Sequence, residues 1–363
     1  MISHVDSRLY RIPLTHTMTD ATHGAMTHFE VVMVSLRDDE GHEGIGYTYT
    51  IGLGGAAVVS LIRQAFEPLL LKAEPDRINQ IWEQMWWRLH YIGRGGLASF
   101  AMAAVDIALW DLAARRAGQP LWRRLGGNGG PITPYAGGID LHLDLDGLLA
   151  YVQGHLDKGF RAVKIKVGQP RWQDDIARIR AVRELLGPEL TLMVDANMRW
   201  DVATAVQAAR QMQPYNVYWL EEPTIPDDVA GHARIAAEGG VPVATGENLH
   251  TIYEFAAMIE QGGIAYPEPD VSNIGGITNW LRVAGLAYAH NRPVTTHGVH
   301  ELHLQLLGAI PNPSFLEVHS FGLERFILNP PVLIDGFMQL PEAPGHGVQF
   351  DWAGLAACEV RLP

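Results

Sequence analysis

Six ionisable residues stand at the ends of short apolar runs, at intervals of about one strand–helix unit. They are Lys166, Asp195, Glu221, Glu247, Asp270 and His297, spaced by 29, 26, 26, 23 and 27 residues. A strand, a loop and a helix take about that length, and polar residues that close consecutive strands of an eight-unit barrel converge on one mouth. Three carboxylates there predict a divalent cation, and the lysine and histidine beside them predict proton transfer.

Asp195, Glu221 and Glu247 end three consecutive predicted strands, and all three are hard oxygen ligands. Such a set suits Mg²⁺, whereas zinc favours histidine or cysteine, which these strand ends lack. A single acidic residue at a strand end is usually a helix cap or a surface charge. Three in register are hard to explain in that way, because buried carboxylates repel one another unless a cation joins them.

Lys164 and Lys166 lie two residues apart in a predicted strand, so both side chains face the barrel interior. Burial and mutual repulsion lower the pKa of a lysine, so we expect Lys166 to act as a base near neutral pH. Asp270 and His297 close neighbouring strands, and a carboxylate against an imidazole orients the ring and raises its basicity. Glu317, in the eighth predicted strand, lies opposite. If burial protonates Glu317, it could donate a hydrogen bond to an oxyanion.

The elements that position these residues fall into two blocks. Residues 1–50 alternate like strands around an Asp-Asp-Glu-Gly turn, and residues 56–125 have the apolar spacing of helices. Strands followed by helices predict a separate α+β layer. After a flexible joint at 126–131, strand and helix patterns alternate, which favours a closed α/β barrel. The eight predicted strands lie around Thr133–Gly137, Ala162–Val167, Leu190–Asp195, Val217–Glu222, Val243–Gly246, Ile264–Pro267, Pro293–His297 and Phe315–Val318.

We accordingly predict three regions: a capping domain at 1–129, a barrel at 130–322 and a tail at 323–363 that packs back on the capping domain. No glycine-rich nucleotide fingerprint follows the first strand, and no P-loop occurs. The sequence therefore lacks the usual signatures of nucleotide-binding α/β folds.

Composition excludes several classes of partner. The formal net charge of −13 argues against nucleic acid and anionic membranes. The single cysteine, Cys358, cannot form an intrachain disulfide and fits a reducing compartment. No run approaches ~18 uninterrupted apolar residues, and the N-terminus reads as a strand and not as a leader. We expect a cytoplasmic protein with a small-molecule partner.

Several motifs together resemble the enolase superfamily, in its mandelate racemase-like subgroup. They are KIK at 164–166, VDAN at Asp195, LEEP at Glu221, TGEN at Glu247, PDVSNIGGIT from Pro269 and THG at His297. The resemblance covers nearly the whole chain. It implies a (β/α)7β TIM-like barrel, capped by an α+β domain that the N-terminal region and the C-terminal tail form. It also implies one Mg²⁺ per subunit on the three carboxylates, a carboxylate substrate and a homo-oligomer, often an octamer.

The resemblance also implies the roles of the residues. The shared step removes the proton α to a carboxylate and gives an enediolate. Lys166 would be one base and the His297–Asp270 dyad the other, on opposite faces of the substrate. Lys164 would neutralise the substrate carboxylate, and Glu317 would hydrogen-bond its oxygen.

Substrate specificity is expected from the capping loops around Thr19–Gly24 and Tyr47–Gly55, which are rich in hydroxyls and histidines. His23 and Tyr47 from these loops, and Asn197 two residues past Asp195, are the predicted substrate contacts. An aromatic acid would favour an apolar pocket, so this composition favours a polyhydroxylated acid. Dehydration of an acid sugar to a 2-keto-3-deoxy acid is therefore the first prediction.

Three alternatives stay open. The runs GYTYT, HYIGRGG, GENLHTIYEF and THGVHELH resemble the 3,6-anhydro-L-galactonate cycloisomerases, in which the enediolate expels a ring ether oxygen instead of water. A sequence with both bases could also racemise or epimerise a 2-hydroxy acid. A catalytically silent, metal-stabilised binding protein is the alternative from another class, against which the intact set of bases argues.

Overall fold

Three long antiparallel strands form the N-terminal layer. The computed structural model describes residues 1–319 and 321–362. Its first strands are β1 (Ile2–Asp20), β2 (Gly24–Asp38) and β3 (Glu43–Thr50), each paired with the next. The predicted Asp-Asp-Glu-Gly turn joins β2 to β3, and Gly41 there adopts a φ of 90° that favours glycine.

Helices cover one face of this sheet. They are α1 (Gly55–Leu61), α2 (Glu67–Leu70), α3 (Ile78–Leu89), α4 (Leu97–Arg116) and α5 (Leu121–Arg124), with a π-helical turn at Ile62–Phe66. Helix α4 crosses β3 so closely that a Cβ at Gly46 would overlap the carbonyl oxygen of Ala104. Gly44 is confined in the same way by Ala108 and Leu112. Small residues on both elements therefore let the helix and the strand pack backbone to backbone.

Helix α4 is long and apolar enough to cross a membrane by length and composition, but 83% of its apolar window is buried inside the protein. Its two acidic residues both have partners. Asp106 accepts hydrogen bonds from the amide and hydroxyl of Thr278, and Asp111 accepts one from the amide of Ile45. Burial and internal partners of this kind are typical of a core helix.

The following strands form one parallel sheet in the order β10-β4-β5-β6-β7-β8-β9. They are β4 (Pro134–Gly137), β5 (Ala162–Lys166), β6 (Thr191–Asp195), β7 (Val217–Glu221), β8 (Val243–Thr245), β9 (Tyr266–Pro267) and β10 (Leu316–Val318). The helices between these strands are α6 (Leu145–Asp157), α7 (Trp172–Leu186), α8 (Val202–Met212), α9 (Val229–Gly239), α10 (Ile252–Glu260), α11 (Ile277–Ala289) and α12 (His300–Leu307), with a 3₁₀ turn at Gln213–Tyr215.

The predicted strand at Pro293–His297 does not form a continuous ladder with its neighbours in the barrel. Thr295 donates its amide to the carbonyl of Pro267 in β9 at 3.1 Å, and Ser314 donates to the carbonyl of Val294 at 2.7 Å. This extended segment therefore bridges β9 and the chain that leads into β10, although isolated bonds replace a continuous ladder. The predicted barrel with seven helix-linked units and a closing strand is confirmed.

Aromatic side chains close the lower part of the barrel. The ring of Trp219 lies 5.5 Å from that of Tyr135, 5.2 Å from that of Tyr266 and 6.0 Å from that of Phe315. Tyr135 and Trp219 are fully buried. This packed layer excludes water below the ionisable residues and lowers the local dielectric around them.

The tail contains a 3₁₀ turn (Leu323–Phe326), β11 (Leu333–Ile334), β12 (Phe337–Met338), α13 (Trp352–Ala356) and β13 (Glu359–Val360). Strand β13 pairs antiparallel with β1, with Val360 opposite Leu9. The tail thus adds an edge strand to the N-terminal sheet, as the fold prediction required. The boundaries of the three predicted regions stay predictions.

Candidate active site

The three carboxylates predicted as metal ligands meet at the carboxyl ends of neighbouring strands. Asp195 and Glu221 are the last residues of β6 and β7, and Glu247 follows β8 by two residues. Each offers one oxygen, and these oxygens lie within 4.8 Å of one another. Asp195 and Glu221 have no solvent exposure. The sequence spacing therefore does translate into one compact cluster.

This cluster is electrostatically unfavourable as it stands. Burial raises the pKa of Glu221 to about 8, and burial also raises the pKa of Glu247. The Oε2 atom of Glu247 accepts no hydrogen bond within the described part of the chain, although His297 Nε2 lies 3.3 Å away. Buried carboxylates that repel one another and keep an unused oxygen have the properties of a cation site.

Acidic groups outnumber cationic groups in the ion pairs around the mouth. The acidic groups are Asp195, Glu221, Glu247, Asp270 and Glu317, and the cationic groups are Lys164, Lys166 and a protonated His297. Burial favours the protonated form of Glu221 and Glu247, and a bound cation would favour the ionised form of both. Mg²⁺ takes oxygen ligands of this kind, so the residues present fit the predicted ion.

Lys164 lies under this cluster with its three N–H donors directed at protein acceptors. Its Nζ atom donates to Glu221 Oε1 at 2.6 Å and to the hydroxyl of Tyr135 at 3.2 Å, and it lies 2.9 Å from Glu317 Oε1. Burial alone would lower the pKa of Lys164, but the charges of Glu221 and Glu317 hold it well above the usual value. Lys164 is therefore a fixed positive charge.

The protonation state expected for Lys166 is wrong for this structure. Its Nζ atom forms an ion pair with Asp195 Oδ2, and this carboxylate outweighs burial and the neighbouring Lys164, so that the pKa is raised. Proximity of a carboxylate to the lysine could not be read from spacing along the chain. A basic Lys166 requires that Asp195 be engaged by another positive charge.

The expectation that burial protonates Glu317 is also wrong. Burial acts in that direction, but the positive charges of Lys164 and His297 outweigh it and hold the pKa well below the usual range. Glu317 Oε2 accepts a hydrogen bond of 2.7 Å from the amide of Gly298. As an ionised group, Glu317 can accept hydrogen bonds and fix Lys164, but it has no proton to donate.

The predicted dyad is present, and it has a third member. His297 Nδ1 donates to Asp270 Oδ2 at 3.0 Å, and the hydroxyl of Tyr49 donates to the same oxygen at 2.7 Å. Burial lowers the pKa of His297, but the Glu247 charge and the Asp270 hydrogen bond raise it to about 10. The imidazole is thus a proton donor in this state. Tyr49 was not predicted, although it lies in the GYTYT run.

Two further buried carboxyls were missed because each stands beside a residue that was identified. Glu222 follows Glu221, and Glu268 lies two residues before Asp270. Burial raises the pKa of both well above the usual value. Glu222 accepts a hydrogen bond from Asn248 at 2.7 Å, and Glu268 accepts one from Tyr135 at 3.2 Å. The doublet Glu-Glu and the run Glu-Pro-Asp were the only signals for them.

Two of the predicted substrate contacts lie at the site. His23 lines a cavity of about 220 Å³ together with Glu247 and His297, and its Nδ1 is 2.8 Å from Asp20. Asn197 lies beyond the end of β6 at a φ of 41°, so it does not continue the strand face as expected. Its side chain is buried, and Oδ1 has no hydrogen-bond partner in the described part. Substrate contact by His23 and Asn197 stays a prediction.

The structure gives no support to Tyr47 as a substrate contact. Tyr47 lies within β3 and not in a loop, it has no solvent exposure, and its hydroxyl donates to Glu301 at 2.5 Å. Tyr49, two residues on and on the same face of the strand, is the tyrosine that reaches the dyad. The sequence analysis placed Tyr47 in a capping loop, whereas it lies inside β3.

The second capping loop brings both polar and apolar side chains to the cavity beside Glu247. Tyr49 and Thr50 line it, and so do Ile51 and Leu53, of which Leu53 is 85% exposed. Leu97 and Phe100 from the start of α4 complete an apolar wall. Hydroxyl composition along the loop does not reveal which side chains face the cavity.

Comparison with known proteins identifies the family. The model of the mandelate racemase / muconate lactonizing enzyme N-terminal domain matches residues 7–126, and the enolase C-terminal domain-like model matches residues 148–354. The chain is 48% identical over 360 residues to a 3,6-anhydro-alpha-L-galactonate cycloisomerase of Streptomyces coelicolor, covering 99% of this chain and 100% of that protein. It is 35% identical to the L-talarate/galactarate dehydratase of Salmonella typhimurium, covering 95% and 88%.

Solved structures agree with this assignment. A racemase from Streptomyces coelicolor with bound magnesium has a TM-score of 0.97 and 47% identity over 99% of this chain and 100% of that chain. The Salmonella typhimurium L-talarate/galactarate dehydratase, liganded with Mg and L-lyxarohydroxamate, has a TM-score of 0.94 and 34% identity over 99% and 93%. Together with the carboxylate cluster, these confirm magnesium as the cofactor. The chain is an enzyme and belongs to the enolase superfamily, in the mandelate racemase / muconate lactonizing enzyme family, among acid-sugar dehydratases and cycloisomerases.

Proposed function

We propose that this chain is a magnesium-dependent cycloisomerase that opens 3,6-anhydro-L-galactonate to a linear 2-keto-3-deoxy acid. The observation that carries this proposal is the 48% identity with the Streptomyces coelicolor cycloisomerase over the full length of both chains. Identity with the dehydratase relative is 35%. The sequence alone places dehydration first, and the comparisons favour the alternative instead.

Asp195, Glu221 and Glu247 would hold the Mg²⁺, which supplies positive charge for the substrate carboxylate and for the enediolate. Lys164 adds a second positive charge on the other side, where Glu221 and Glu317 fix its ammonium group. Charge that is already in place when the enediolate forms needs no reorganisation, which is the main source of electrostatic catalysis.

Lys166 and His297 approach the cluster from the second and seventh positions of the barrel, and each contacts one predicted ligand. Lys166 removes the proton from C2 once Asp195 is engaged elsewhere, because the Asp195 charge is what raises its pKa. His297, which Asp270 and Tyr49 orient, carries the proton that the leaving oxygen needs. The two groups thus have opposite tasks, one as base and one as acid.

The atoms and electrons of the proposed reaction balance without any co-reactant. The C2–H bond breaks and its electrons form the C2–C3 double bond, while the bond from C3 to the ring oxygen breaks. That oxygen stays on C6 and takes the proton from His297. The resulting enol takes a proton at C3 and becomes the 2-keto-3-deoxy acid. No water leaves, so the product is an isomer of the substrate.

The test is proton NMR in D₂O with Mg²⁺ and 3,6-anhydro-L-galactonate, with galactarate in a parallel sample. We expect 2-keto-3-deoxy signals from the anhydro acid, and mass spectrometry of the same reaction in H₂O should give the mass of the substrate. An unchanged anhydro acid would overturn the proposal. Deuterium at C2 without product would point to a racemase or epimerase.

Dehydration of an acid sugar is the second candidate, supported by the similarity to the L-talarate/galactarate dehydratase over 95% of this chain. The same base and acid would serve it, with a hydroxyl group leaving C3 as water. Consumption of galactarate and not of the anhydro acid would favour this candidate. The cytoplasmic location and the homo-oligomer, often an octamer in the family, stay predictions.

A further inference from the structure

A second cavity, of about 700 Å³, opens beside the barrel mouth on the side of β4 and β10. Its wall contains five histidines, and we call it the histidine cavity. They are His16, His142, His155, His300 and His319. None of them was assigned a role from the sequence.

The inner end of the histidine cavity adjoins the reaction site. Gly137, the last residue of β4, lines it, and a Cβ on Gly137 would stand 2.9 Å from Glu317 Cδ. The charges of Glu317 and Lys166 are also among those that act on the pKa values of Tyr151 and His319, which line the same cavity. The cavity therefore lies beside the carboxylate that fixes Lys164, and Gly147, Tyr151 and His155 of α6 form part of its wall.

Two ring nitrogens in this wall are buried without a hydrogen-bond partner in the described part of the chain. They are His319 Nε2 and His155 Nδ1. Buried polar atoms in native proteins are nearly always paired, so each indicates a missing partner. Burial lowers the pKa of both histidines to about 4, so each ring is neutral near pH 7. A neutral imidazole offers one donor and one acceptor, which matches a hydroxyl group better than a carboxylate.

The cavity of about 220 Å³ that contains Glu247 and His297 has a mixed lining, and we call it the loop cavity. Ile51, Leu53, Leu97 and Phe100 supply its apolar part. Its polar part comes from residues such as His23, Thr50, Asn248, His250 and Asn273. The histidine cavity differs from it in containing two buried ring nitrogens without a partner in the described chain.

We propose that the histidine cavity binds the hydroxyl-bearing end of the sugar acid, with His319 Nε2 as its hydrogen-bond partner nearest the reacting carbons. This inference rests on the proposed function only in that the substrate is a sugar acid. It moves the main specificity contacts from the second capping loop to the wall between β4, α6 and β10. His155 provides a further contact at the α6 side of the cavity.

Binding tests this proposal without interference from turnover. Calorimetry with Mg²⁺, in a Lys166→Ala background, would compare 3,6-anhydro-L-galactonate with glycolate, a 2-hydroxy acid that lacks the distal hydroxyls. His319→Leu should raise Kd for the sugar acid about 3- to 10-fold, the value of one hydrogen bond, and leave Kd for glycolate unchanged. His319→Gln, which restores an amide near the Nε2 position, should recover most of the loss.

His250→Leu is the comparison variant, since His250 lines the loop cavity and contacts Phe100 at 5.7 Å between ring centroids. It should weaken binding of the sugar acid less than His319→Leu does. Equal weakening of both acids by His319→Leu would indicate a structural effect and would overturn the proposal. So would weaker sugar binding in His250→Leu with none in His319→Leu. If wild-type enzyme fails to convert the anhydro acid but the binding pattern holds, only the proposed reaction is wrong.

Discussion

The barrel mouth and the junction between α4 and α11 both bury acidic groups, but they differ in how those groups are satisfied. At the mouth, the acidic side chains outnumber the cationic ones, and Glu247 Oε2 accepts no hydrogen bond in the described chain. At the junction, Asp106 accepts bonds of 2.8 and 2.6 Å from the amide and hydroxyl of Thr278, and that hydroxyl accepts one of 2.9 Å from Trp110.

This difference in hydrogen bonding distinguishes a functional site from a contact that only stabilises the fold. Groups at the junction have their partners supplied by the chain, so their arrangement is complete when the protein folds. Groups at the mouth repel one another until a cation and a substrate arrive, and such incomplete satisfaction is expected where function needs it. Changes at the mouth should therefore affect activity more than folding, and changes at the junction the reverse.

The largest effect is expected at the mouth from Lys166→Ala. Loss of the base should lower kcat by at least about 10³-fold. With Mg²⁺ present the midpoint of thermal unfolding should change little, because the cation compensates Asp195. Steady-state kinetics, deuterium exchange at C2 and calorimetric Mg²⁺ binding measure the three quantities. Exchange at the wild-type rate would show that Lys166 is not the base.

The next effect is on stability and comes from the close contact between β3 and α4. Gly46→Ala places a methyl group against the backbone of Ala104. The strand and the helix can make room for this group only by moving apart. We expect a loss of about 3 kcal/mol in the free energy of unfolding. Gly285→Ala in α11 is the control, since a Cβ there meets nothing within 4 Å. The Gly285→Ala variant should be slightly stabilised. Urea titration measures the free energy of unfolding of both variants, and equal values for the two would contradict the packing argument.

A smaller effect is expected from Tyr49→Phe, which removes the hydroxyl that donates to Asp270. The dyad keeps its own hydrogen bond but loses one orienting contact, so kcat should fall about tenfold. Tyr47→Phe is the matched control, because the Tyr47 hydroxyl donates to Glu301 instead. Equal losses of kcat in both variants would count against a specific role for Tyr49.

The last prediction is a pH dependence of stability at the junction. Burial raises the pKa of Asp106 from an ordinary value of 3.8 to about 7. The stability that its protonated form contributes is fully present below about pH 4 and is lost as the pH rises through 7. Wild type should therefore lose stability relative to Asp106→Asn between pH 5 and pH 8. Urea unfolding at several pH values measures the difference, and a constant difference would contradict the assigned pKa.

The strand-end residues of the mouth could be predicted because barrel spacing is a property of the chain itself. Lys164, Lys166, Asp195 and Glu221 each fall in the last three residues of an observed strand, and the parallel sheet brings them together. Their protonation states could not be predicted in the same way. The pairing of Lys166 with Asp195 depends on distances across strands, which no local pattern contains.

Contacts between the cap and the barrel were the hardest to predict. Tyr47 and Tyr49 share one face of β3, and only the docking of the cap decides which of them reaches Asp270. The histidine cavity is likewise built from segments as distant in sequence as His16, His155 and His319. Sequence patterns specify elements and their faces, whereas these sites depend on how the elements pack.

The most direct test of the central claim is the unfolding temperature of wild type and Glu221→Gln, each with EDTA and with increasing Mg²⁺. A cation that binds the native mouth stabilises it by mass action, so the wild-type midpoint should rise with Mg²⁺ concentration. Glu221→Gln loses a charged ligand, so its midpoint should respond far less. A wild-type midpoint that ignores Mg²⁺, or an equal rise in both proteins, would contradict the assignment of the mouth as the magnesium site.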